Sequence, residues 1–469
     1  MNIFNYYTIK LSIIFLIWHP HKFMKKVLLI AIILACLVAC DTRTYFETNV
    51  KSYSALVKGD YKTSLNEIEN NKYLKAAYNK QLYLMEKGRL LQIIGDNEQA
   101  AKLLNEADEL SDSWSNAKVR TANGFINISH KTPNNYFSGQ NTIETNLPSQ
   151  LFTSSRKKTY RSEHYERMML NYTKAISYIN MSKRDEALVE GKRLLLFSEQ
   201  LDVLKQVETN YIEYVSDPFP QLFAGILYEW DGDYSNAFIS FENAYNIYLK
   251  KGVMNVYGLA IPQQLKIDIL ALAYKLGFND KLEYYQNLFG VKYTAPTNHS
   301  ELLLFIEDGY IASRNEEVKY YLFDTIRGYA IDNTDRGFGG RLYLPSYLNH
   351  YTERNISITA NKQAMGFTTI RNNQYVVMNT LYSRVQKERA NMITTYLKSV
   401  TAKNNGNTAA HVDTRNWQSI SAKVAYVRIP LLYDSNNEIV ITAGNKQYTL
   451  NIVGTSGLQI KHIRVDNFN

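Results

Sequence analysis

Cysteine is scarce in this sequence. Its 469 residues contain two cysteines, Cys36 and Cys40, and both lie near the front. The leader described below predicts cleavage before Cys40 and acylation of its thiol. The mature chain would then hold no free thiol, which excludes an internal disulfide, a cysteine nucleophile and a cysteine metal site.

Signals for metal sites and for common active sites are also lacking. After the leader no stretch is apolar over about 18 residues, so no further membrane span is expected. The glycine-rich run at 335–345 lacks the Lys-Ser/Thr of a phosphate loop, the mature chain has no Gly-x-Ser-x-Gly elbow, and its Ser-x-x-Lys spacings lack partner motifs. The histidines show no metal-ligand spacing, and they are His19, His21, His130, His164, His299, His350, His411 and His462. We therefore expect no metal, no cofactor and no enzymatic activity.

Charge of one sign is not concentrated in any segment. The chain carries a net charge of +9, and removal of the four lysines that precede Cys40 leaves +5 for the mature chain. The basic residues are scattered, so no nucleic-acid partner is expected. Tyrosine is abundant, with 37 residues, which fits either an AT-rich genome or a surface that stacks on carbohydrate.

The leader has a specific pattern. Lys25 and Lys26 precede thirteen apolar or small residues, 27–39, a run shorter than the roughly 20 residues of a membrane span and typical of a secretory signal. The run ends in Leu37-Val38-Ala39-Cys40, which looks like the lipobox of bacterial lipoproteins. We expect a signal peptide over 1–40 and acyl chains on Cys40, since two or three chains hold a protein stably on a membrane.

Two residues near the apolar run bear on where translation starts and on which membrane receives the protein. Met24 begins a complete signal by itself, so translation is predicted to start there. Asp41 follows the acylated cysteine and resembles the acid that keeps enterobacterial lipoproteins on the inner membrane. The body is expected in the periplasm or on the outer face of the envelope, with inner and outer membrane both open.

Residues 41–297 have a helical pattern that repeats. The segments 88–107 and 225–244 share small residues and a Gly-Asp pair at the same spacing, which resembles the tetratricopeptide repeat (TPR), a pair of antiparallel helices. Small residues let the two helices approach, while Gly-Asp forms the turn and the acid caps the second helix. The signature positions are Gly88, Gly95, Ala100 and Ala107 in one copy and Gly225, Gly232, Ala237 and Ala244 in the other.

The predicted fold class is α+β, an irregular TPR-like helical array followed by a small, mostly antiparallel β domain with one long helix. Turns of the array are expected near 59, 95, 182, 232 and 277, and a polar insertion at about 123–161 is a candidate partner contact. From 298 to 469 the pattern is strand-like, with the helix at about 376–402. A hairpin turn is predicted at Asn445 and Lys446.

Two polar clusters carry a family resemblance. They are Asp413, Arg415, Trp417 and Arg428, and Tyr165, Glu166, Arg167, Glu190 and Arg193. Together with the lipobox they resemble a family of uncharacterised bacterial envelope lipoproteins, in which a repeat-bearing helical half precedes a β-rich domain. The resemblance spans nearly the whole mature chain and implies placement in the cell envelope with no assigned activity. One departure is Ser419-Ile420-Ser421, where a Leu-Pro step is expected after the tryptophan.

These clusters have two interpretations. Asp413, Arg415 and Trp417 can anchor a loop or dock a domain through a salt bridge and an arginine–ring stack, or they can form a ligand or partner site. Glu190 and Arg193 are one helical turn apart and can form a weak surface pair. The sequence therefore favours a scaffold or adaptor whose repeats present a concave face to another protein or an extended peptide. A module that binds a glycan or cell-wall polymer is the alternative, and an enzyme of wall or lipid metabolism is less favoured.

Overall fold

Helices dominate the first half of the chain. The computed structural model describes residues 44–113, 118–121, 124–127, 159–207, 216–295, 300–324, 329–337, 340–349, 351–380 and 413–467. The helices are α1 (Tyr45–Val57), α2 (Tyr61–Asn70), α3 (Lys80–Ile94), α4 (Asn97–Ser113), α5 (His164–Asn180), α6 (Arg184–Val207), α7 (Phe219–Asp231), α8 (Tyr234–Tyr248), α9 (Val253–Tyr257), α10 (Gln263–Lys275), α11 (Asn279–Phe289) and α12 over 373–380. Among the described helices, none combines the length and apolarity needed to cross a bilayer.

Five pairs of helices are joined by tight turns, namely α1/α2, α3/α4, α5/α6, α7/α8 and α10/α11, and the two helices of each pair pack against each other. Each turn has one residue with positive φ, at Gly59 (81°), Gly95 (103°), Ser182 (58°), Gly232 (87°) and Gly277 (69°). Glycine adopts this region without steric cost. The turns lie at the five expected positions, and the TPR-like array is confirmed.

Two glycines let paired helices approach closely. A Cβ on Gly88 of α3 would lie 2.8 Å from Cγ of Leu104 on α4, and a Cβ on Gly225 of α7 would lie 2.6 Å from the ring of Phe241 on α8. Such distances are shorter than van der Waals contact, so any larger residue at these crossings would force the facing side chain to shift. At the following turn, the carboxylate of Asp233 accepts a hydrogen bond from the N–H of Asn236 and caps α8.

The β-sheets are formed mainly by residues after position 299, and one short hairpin lies earlier in the chain. The strands are β1 (Lys118–Thr121) and β2 (Gly124–Asn127), which pair as a hairpin, and then β3 (Ser300–Asp308), β4 (Ser313–Asp324), β5 (Tyr329–Asp332), β6 (Gly340–Leu348), β7 (Ile356–Ala360), β8 (Gln363–Met365), β9 (Thr368–Asn372), β10 (Lys423–Pro430), β11 (Asn436–Ala443), β12 (Lys446–Val453) and β13 (Gly457–Arg464). We call β13-β3-β10-β9 the central sheet and β12-β11-β7-β8 the outer sheet, and β5-β4-β6 form a third sheet. Only the β13–β3 pairing is parallel among the described strands, so the expected antiparallel character is confirmed.

The central sheet lies between the helices and the outer sheet. Alternate residues of β3 point to opposite faces, because the side-chain period of a strand is two. Leu303 and Phe305 join the core that the helices form, whereas Leu302, Leu304 and Ile306 join a second core against the outer sheet. Helices, central sheet and outer sheet therefore form three successive layers.

Three features differ from the sequence-based expectations. Separate domains at 41–297 and 298–469 were expected, but residues 45–469 form one compact unit in which helices and central sheet share a core, because one face of that sheet is apolar. The hairpin turn lies at Gly444, with positive φ, and Asn445, one residue earlier than expected. The insertion at 123–161 contributes β2 to a hairpin, and most of it lies outside the described residues, as do positions 381–402 of the expected long helix.

Candidate functional site

The cluster around Trp417 lies on an irregular segment in the centre of the molecule. Residues 414–422, called the buried segment, precede β10, and each is at most 1% exposed. Few buried loops occur in proteins, because each backbone N–H and C=O then needs a partner within the fold. The helices provide those partners.

We call the leading helix of each pair (α1, α3, α5, α7 and α10) a first helix and the following one a second helix. Glutamates of two first helices bind the backbone of the buried segment. Oε1 of Glu166 on α5 accepts a hydrogen bond from the N–H of Trp417 at 2.7 Å. Oε1 of Glu86 on α3 accepts from the N–H of Gln418 at 2.7 Å, and its Oε2 accepts from the hydroxyl of Ser419 at 2.6 Å. The two carboxylates thus fix three successive residues of the segment.

Burial perturbs both carboxylates. It raises the pKa of Glu86 to about 7, although the hydrogen bonds from Ser419, Gln418 and Tyr45 act in the opposite direction. Burial and the nearby Glu163 also raise the pKa of Glu166. In both cases the low polarity of the surroundings disfavours the ionised form.

Arg415 anchors the start of the segment. Its Nε donates to Asp413 at 2.7 Å, and an Nη atom donates to Oδ1 of Asn79 at 2.7 Å. Its guanidinium lies 5.5 Å from the ring centre of Tyr160. An arginine–ring stack of Arg415 therefore forms with Tyr160, which lies outside the expected cluster, and the side chain of Trp417 is fully buried.

A group of charges lies beneath the end of the segment. Glu307 of β3 is fully buried and accepts hydrogen bonds from Arg89, from Arg464 at 2.6 Å and from the hydroxyl of Ser421 at 2.6 Å. Burial alone would raise the pKa of Glu307, but Arg89, His462 and Arg464 together hold it well below its usual range. This cluster joins α3 to β3, β13 and the segment.

Arg428 likewise joins helices to the central sheet. Its Nε lies 2.9 Å from Asp268 of α10, one Nη lies 2.7 Å from Glu301, and it also pairs with Glu229 of α7. Burial raises the pKa of Asp268 to about 6, with Arg428 acting in the opposite direction. The hydroxyl of Tyr426 donates to Asp268 at 2.7 Å, so β10 is bound to two first helices.

The second expected cluster divides into two places. Tyr165 and Glu166 lie near the buried segment, whereas Glu190 of α6 pairs with Arg193 at 3.3 Å and, more closely, with Lys174 at 2.7 Å. Arg167 stacks over Phe197, 4.8 Å from its ring centre. The structure therefore does not bring these five residues into one site.

Several charges at the centre were not identified from the sequence. Lys174 is fully buried and bridges Glu190 and Asp108, at 2.7 and 2.8 Å. Glu86 and Arg89 stand one turn apart on the buried face of α3, in the run Leu-Tyr-Leu-Met-Glu-Lys-Gly-Arg-Leu-Leu. Charged residues on an apolar helical face are the signal that could have found them, since such a face is normally buried.

Surface cavities among the described residues include the following two. One, of about 260 Å³, is lined by Tyr53, Tyr310, Tyr351 and Arg354, and the ring of Tyr351 packs directly on Gly309. The other, of about 510 Å³, lies along α4 and is lined mainly by charged side chains. Within the described ranges, no group of three or more His, Cys, Asp or Glu residues is placed to hold a metal ion.

The leader lies outside the part of the chain that the structure describes, and Cys40 and Asp41 with it. The signal peptide and the acylation therefore stay predictions from the sequence.

No protein-family model and no curated protein matches the chain. Solved helical structures match about half of it. MamA is 14% identical, with 50% of this chain and 89% of MamA covered at a TM-score of 0.28. The apo form of RapI is 8% identical, with 52% and 68% covered at 0.32. A tetratricopeptide repeat protein from Parabacteroides merdae is 13% identical, with 54% and 81% covered at 0.20. Scores this low carry no argument, so the TPR-like assignment rests on the helix pairs and turns.

Proposed function

We propose that this protein is a lipid-anchored scaffold of the bacterial cell envelope, held to a membrane by acyl chains on Cys40. It binds another protein through the outer surface of its helical array, which we define as the exposed side chains of the second helices α6, α8 and α11. The observation that supports this choice of surface is that the first helices already bind the chain's own β-sheet and buried segment.

Every first helix takes part in this internal binding. The N–H of Tyr45 on α1 donates to Thr414, and Glu86 and Glu166 on α3 and α5 bind the buried segment. On α7 the ring of Phe223 lies 5.5 Å from that of Phe305, and Asp268 on α10 accepts from Tyr426. The face that would receive a partner peptide in the expected scaffold is thus filled in cis.

The outer surface carries exposed apolar side chains. On α6 these are Val189 and Leu196, which are 48% and 54% exposed, and on α11 they are Tyr284 and Leu288, at 57% and 49%. Spacings of seven and four residues place each pair on one side of its helix. Ile239 of α8 is 52% exposed. Single exposed apolar residues are common, whereas recurring ones mark contact surfaces.

Photo-crosslinking in the native bacterium tests this surface. A benzoylphenylalanine at position 196 or 284 is expected to capture the same protein, and the double substitution Leu196→Asp and Tyr284→Asp is expected to abolish its co-purification. The matched control is Leu432→Asp with Tyr433→Asp, two equally exposed positions after β10. Loss of the partner in both double variants, or crosslinks no different from those of a probe at 432, would overturn the proposal.

The lipid anchor has a separate test. Intact mass spectrometry of the protein extracted from membranes is expected to show a chain that begins at Cys40 and carries two or three acyl chains. The Cys40→Ser variant is expected to keep its leader, because acylation precedes cleavage in this pathway. A native chain cleaved elsewhere, or without acyl mass, would refute the anchor.

A glycan-binding role is the alternative. It draws on the cavity lined by Tyr53, Tyr310 and Tyr351, since aromatic rings stack on sugars. However, Tyr53 and Tyr310 are both only 5% exposed, and Tyr351 is packed on Gly309. Because two of these rings are buried and the third is already packed on the backbone, the scaffold is the better supported function, and it requires no catalytic chemistry.

A further inference from the structure

The folded body starts immediately after the proposed anchor. Tyr45, the first residue of α1, is 1% exposed, its N–H donates to Oγ1 of Thr414 at 2.9 Å, and its hydroxyl donates to Glu86 at 3.2 Å. The start of α1 is therefore held in place by the interior of the protein. Cys40 precedes Tyr45 by five residues. At about 3.5 Å per residue, these can reach no more than about 18 Å.

One loop lies beside the N-terminus of α1. The ring of Tyr73 is 6.4 Å from that of Tyr45 and 6.2 Å from that of Tyr78. The side chain of Asn71 donates to the carbonyl of Thr48 on α1 at 3.2 Å. Residues 71–79 thus form a defined surface next to the N-terminus of α1, which we call the anchor-side loop.

The composition of this loop suits a lipid headgroup layer. Lys72 and Lys75 are exposed, and neither has an ion-pair partner among the described residues. Tyr73 and Tyr78 are half-buried. Tyrosine favours the membrane–water interface, and lysine is attracted to anionic lipids. Acids close to the loop in sequence or structure include Glu69 at the end of α2, which pairs with Lys87 at 2.8 Å, and Asp413, which Arg415 neutralises. Glu47 lies in the first turn of α1.

We infer that the anchor-side loop is the membrane-facing surface of the protein and binds anionic phospholipid headgroups through Lys72 and Lys75. The inference rests on the proposed acylation of Cys40. Acyl chains on that residue place the start of α1 within about 18 Å of the headgroups, which selects the loop beside α1 over surfaces elsewhere on the body. The lysines then orient the body, while the acyl chains supply its membrane affinity.

Lipid-borne quenching tests the orientation in the full acylated protein. The mature chain has no free thiol if Cys40 is acylated, so Ala77→Cys, at an exposed position of the loop, accepts a single fluorophore. Gln447→Cys, exposed on β12 of the outer sheet, is the matched control on the opposite layer. In vesicles of phosphatidylethanolamine and phosphatidylglycerol with nitroxide-labelled headgroups, the probe at 77 is expected to be quenched at least threefold more than the probe at 447.

Charge removal completes the test. Each lysine near an anionic surface contributes about 1 kcal/mol, so Lys72→Gln with Lys75→Gln is expected to disfavour the docked orientation roughly 30-fold. Quenching at 77 should then fall to its value in neutral phosphatidylcholine vesicles, while Lys446→Gln with Lys461→Gln, at exposed positions of β12 and β13, leaves it unchanged. Equal quenching at 77 and 447 in a protein whose mass shows the acyl chains would overturn the surface alone. Absence of acyl mass would overturn the anchor and this inference together.

Discussion

Replacement of Glu86 by glutamine should remove a measurable part of the pH dependence of stability. Burial raises the pKa of this carboxyl from 4.5 to about 7 in the folded protein. For an acid whose folded pKa is raised, the stabilising contribution is full below the unfolded value and is lost as the pH rises through the folded value. One pKa unit corresponds to about 1.4 kcal/mol, so the loss between pH 4.5 and pH 8 is about 3 kcal/mol.

The glutamine variant keeps most of the local contacts. The amide oxygen of the glutamine can accept a hydrogen bond from the N–H of Gln418. Its amide nitrogen can donate to the hydroxyl oxygen of Ser419, which reverses the direction of the bond that Ser419 donates to Glu86 in the native protein. The side chain has the same size, so no cavity forms. We therefore expect the variant to be slightly less stable than the native protein at pH 5 and more stable at pH 8, because an ionised buried group is absent.

The difference between the two proteins isolates this one group. Other buried acids titrate in the same experiment, since burial also raises the pKa of Glu166 and Asp268, whereas arginines lower that of Glu307, with the opposite sign. Denaturant unfolding followed by tryptophan fluorescence, at pH 5 to 8, gives the free energy of unfolding of each protein. Glu98→Gln, at an exposed position of α4, controls for the loss of one charge. A Glu86→Gln difference that does not change by more than 1 kcal/mol over this range would refute the reasoning.

Three further variants test the packing. Gly225→Ala inserts a methyl group against the ring of Phe241 and is expected to cost about 1–3 kcal/mol of unfolding free energy. The control Gly366→Ala, with no atom within 4 Å of the new Cβ, is expected to change stability little. Equal unfolding midpoints in urea for the two variants would contradict this. Lys174→Met removes the buried cation that bridges Asp108 and Glu190 and leaves these carboxylates with the half-exposed Arg193. It is expected to cost about 3–5 kcal/mol, visible as a large fall in Tm, and a fall below 2 °C would count against it. Asp233→Ala removes a helix cap and is expected to cost about 1 kcal/mol by the same urea assay, and an unchanged midpoint would show that the cap contributes nothing.

Local chemistry explains why the helical array could be predicted. Turn glycines, small residues at crossings and capping acids act within about twenty residues of chain, so their spacing is visible in the sequence. Gly88, Gly95, Gly225 and Gly232 all hold the positions that a helix pair requires. Strand alternation in the last third is equally local, and it indicated most of the strands.

The central site could not be predicted in the same way. Its contacts join residues far apart in sequence, such as Glu86 with Gln418 and Glu166 with Trp417. No local period encodes which helix face meets which strand, so the sequence suggested a free concave surface where the structure has an internal interface. The cluster around Asp413 was found because its composition is unusual, and domain docking was one of its two expected interpretations.

The buried segment fills the inner face of the helical array, and we expect it to stay there permanently. Hydrogen exchange of the amides of Trp417 and Gln418, in the full protein with and without its captured partner, tests this claim directly. We expect both amides to exchange only through global unfolding, as slowly as the most protected amides of α3 and α5. Exchange much faster than that of the helices, or protection lost when the partner binds, would show that the segment leaves the face and that the partner occupies it.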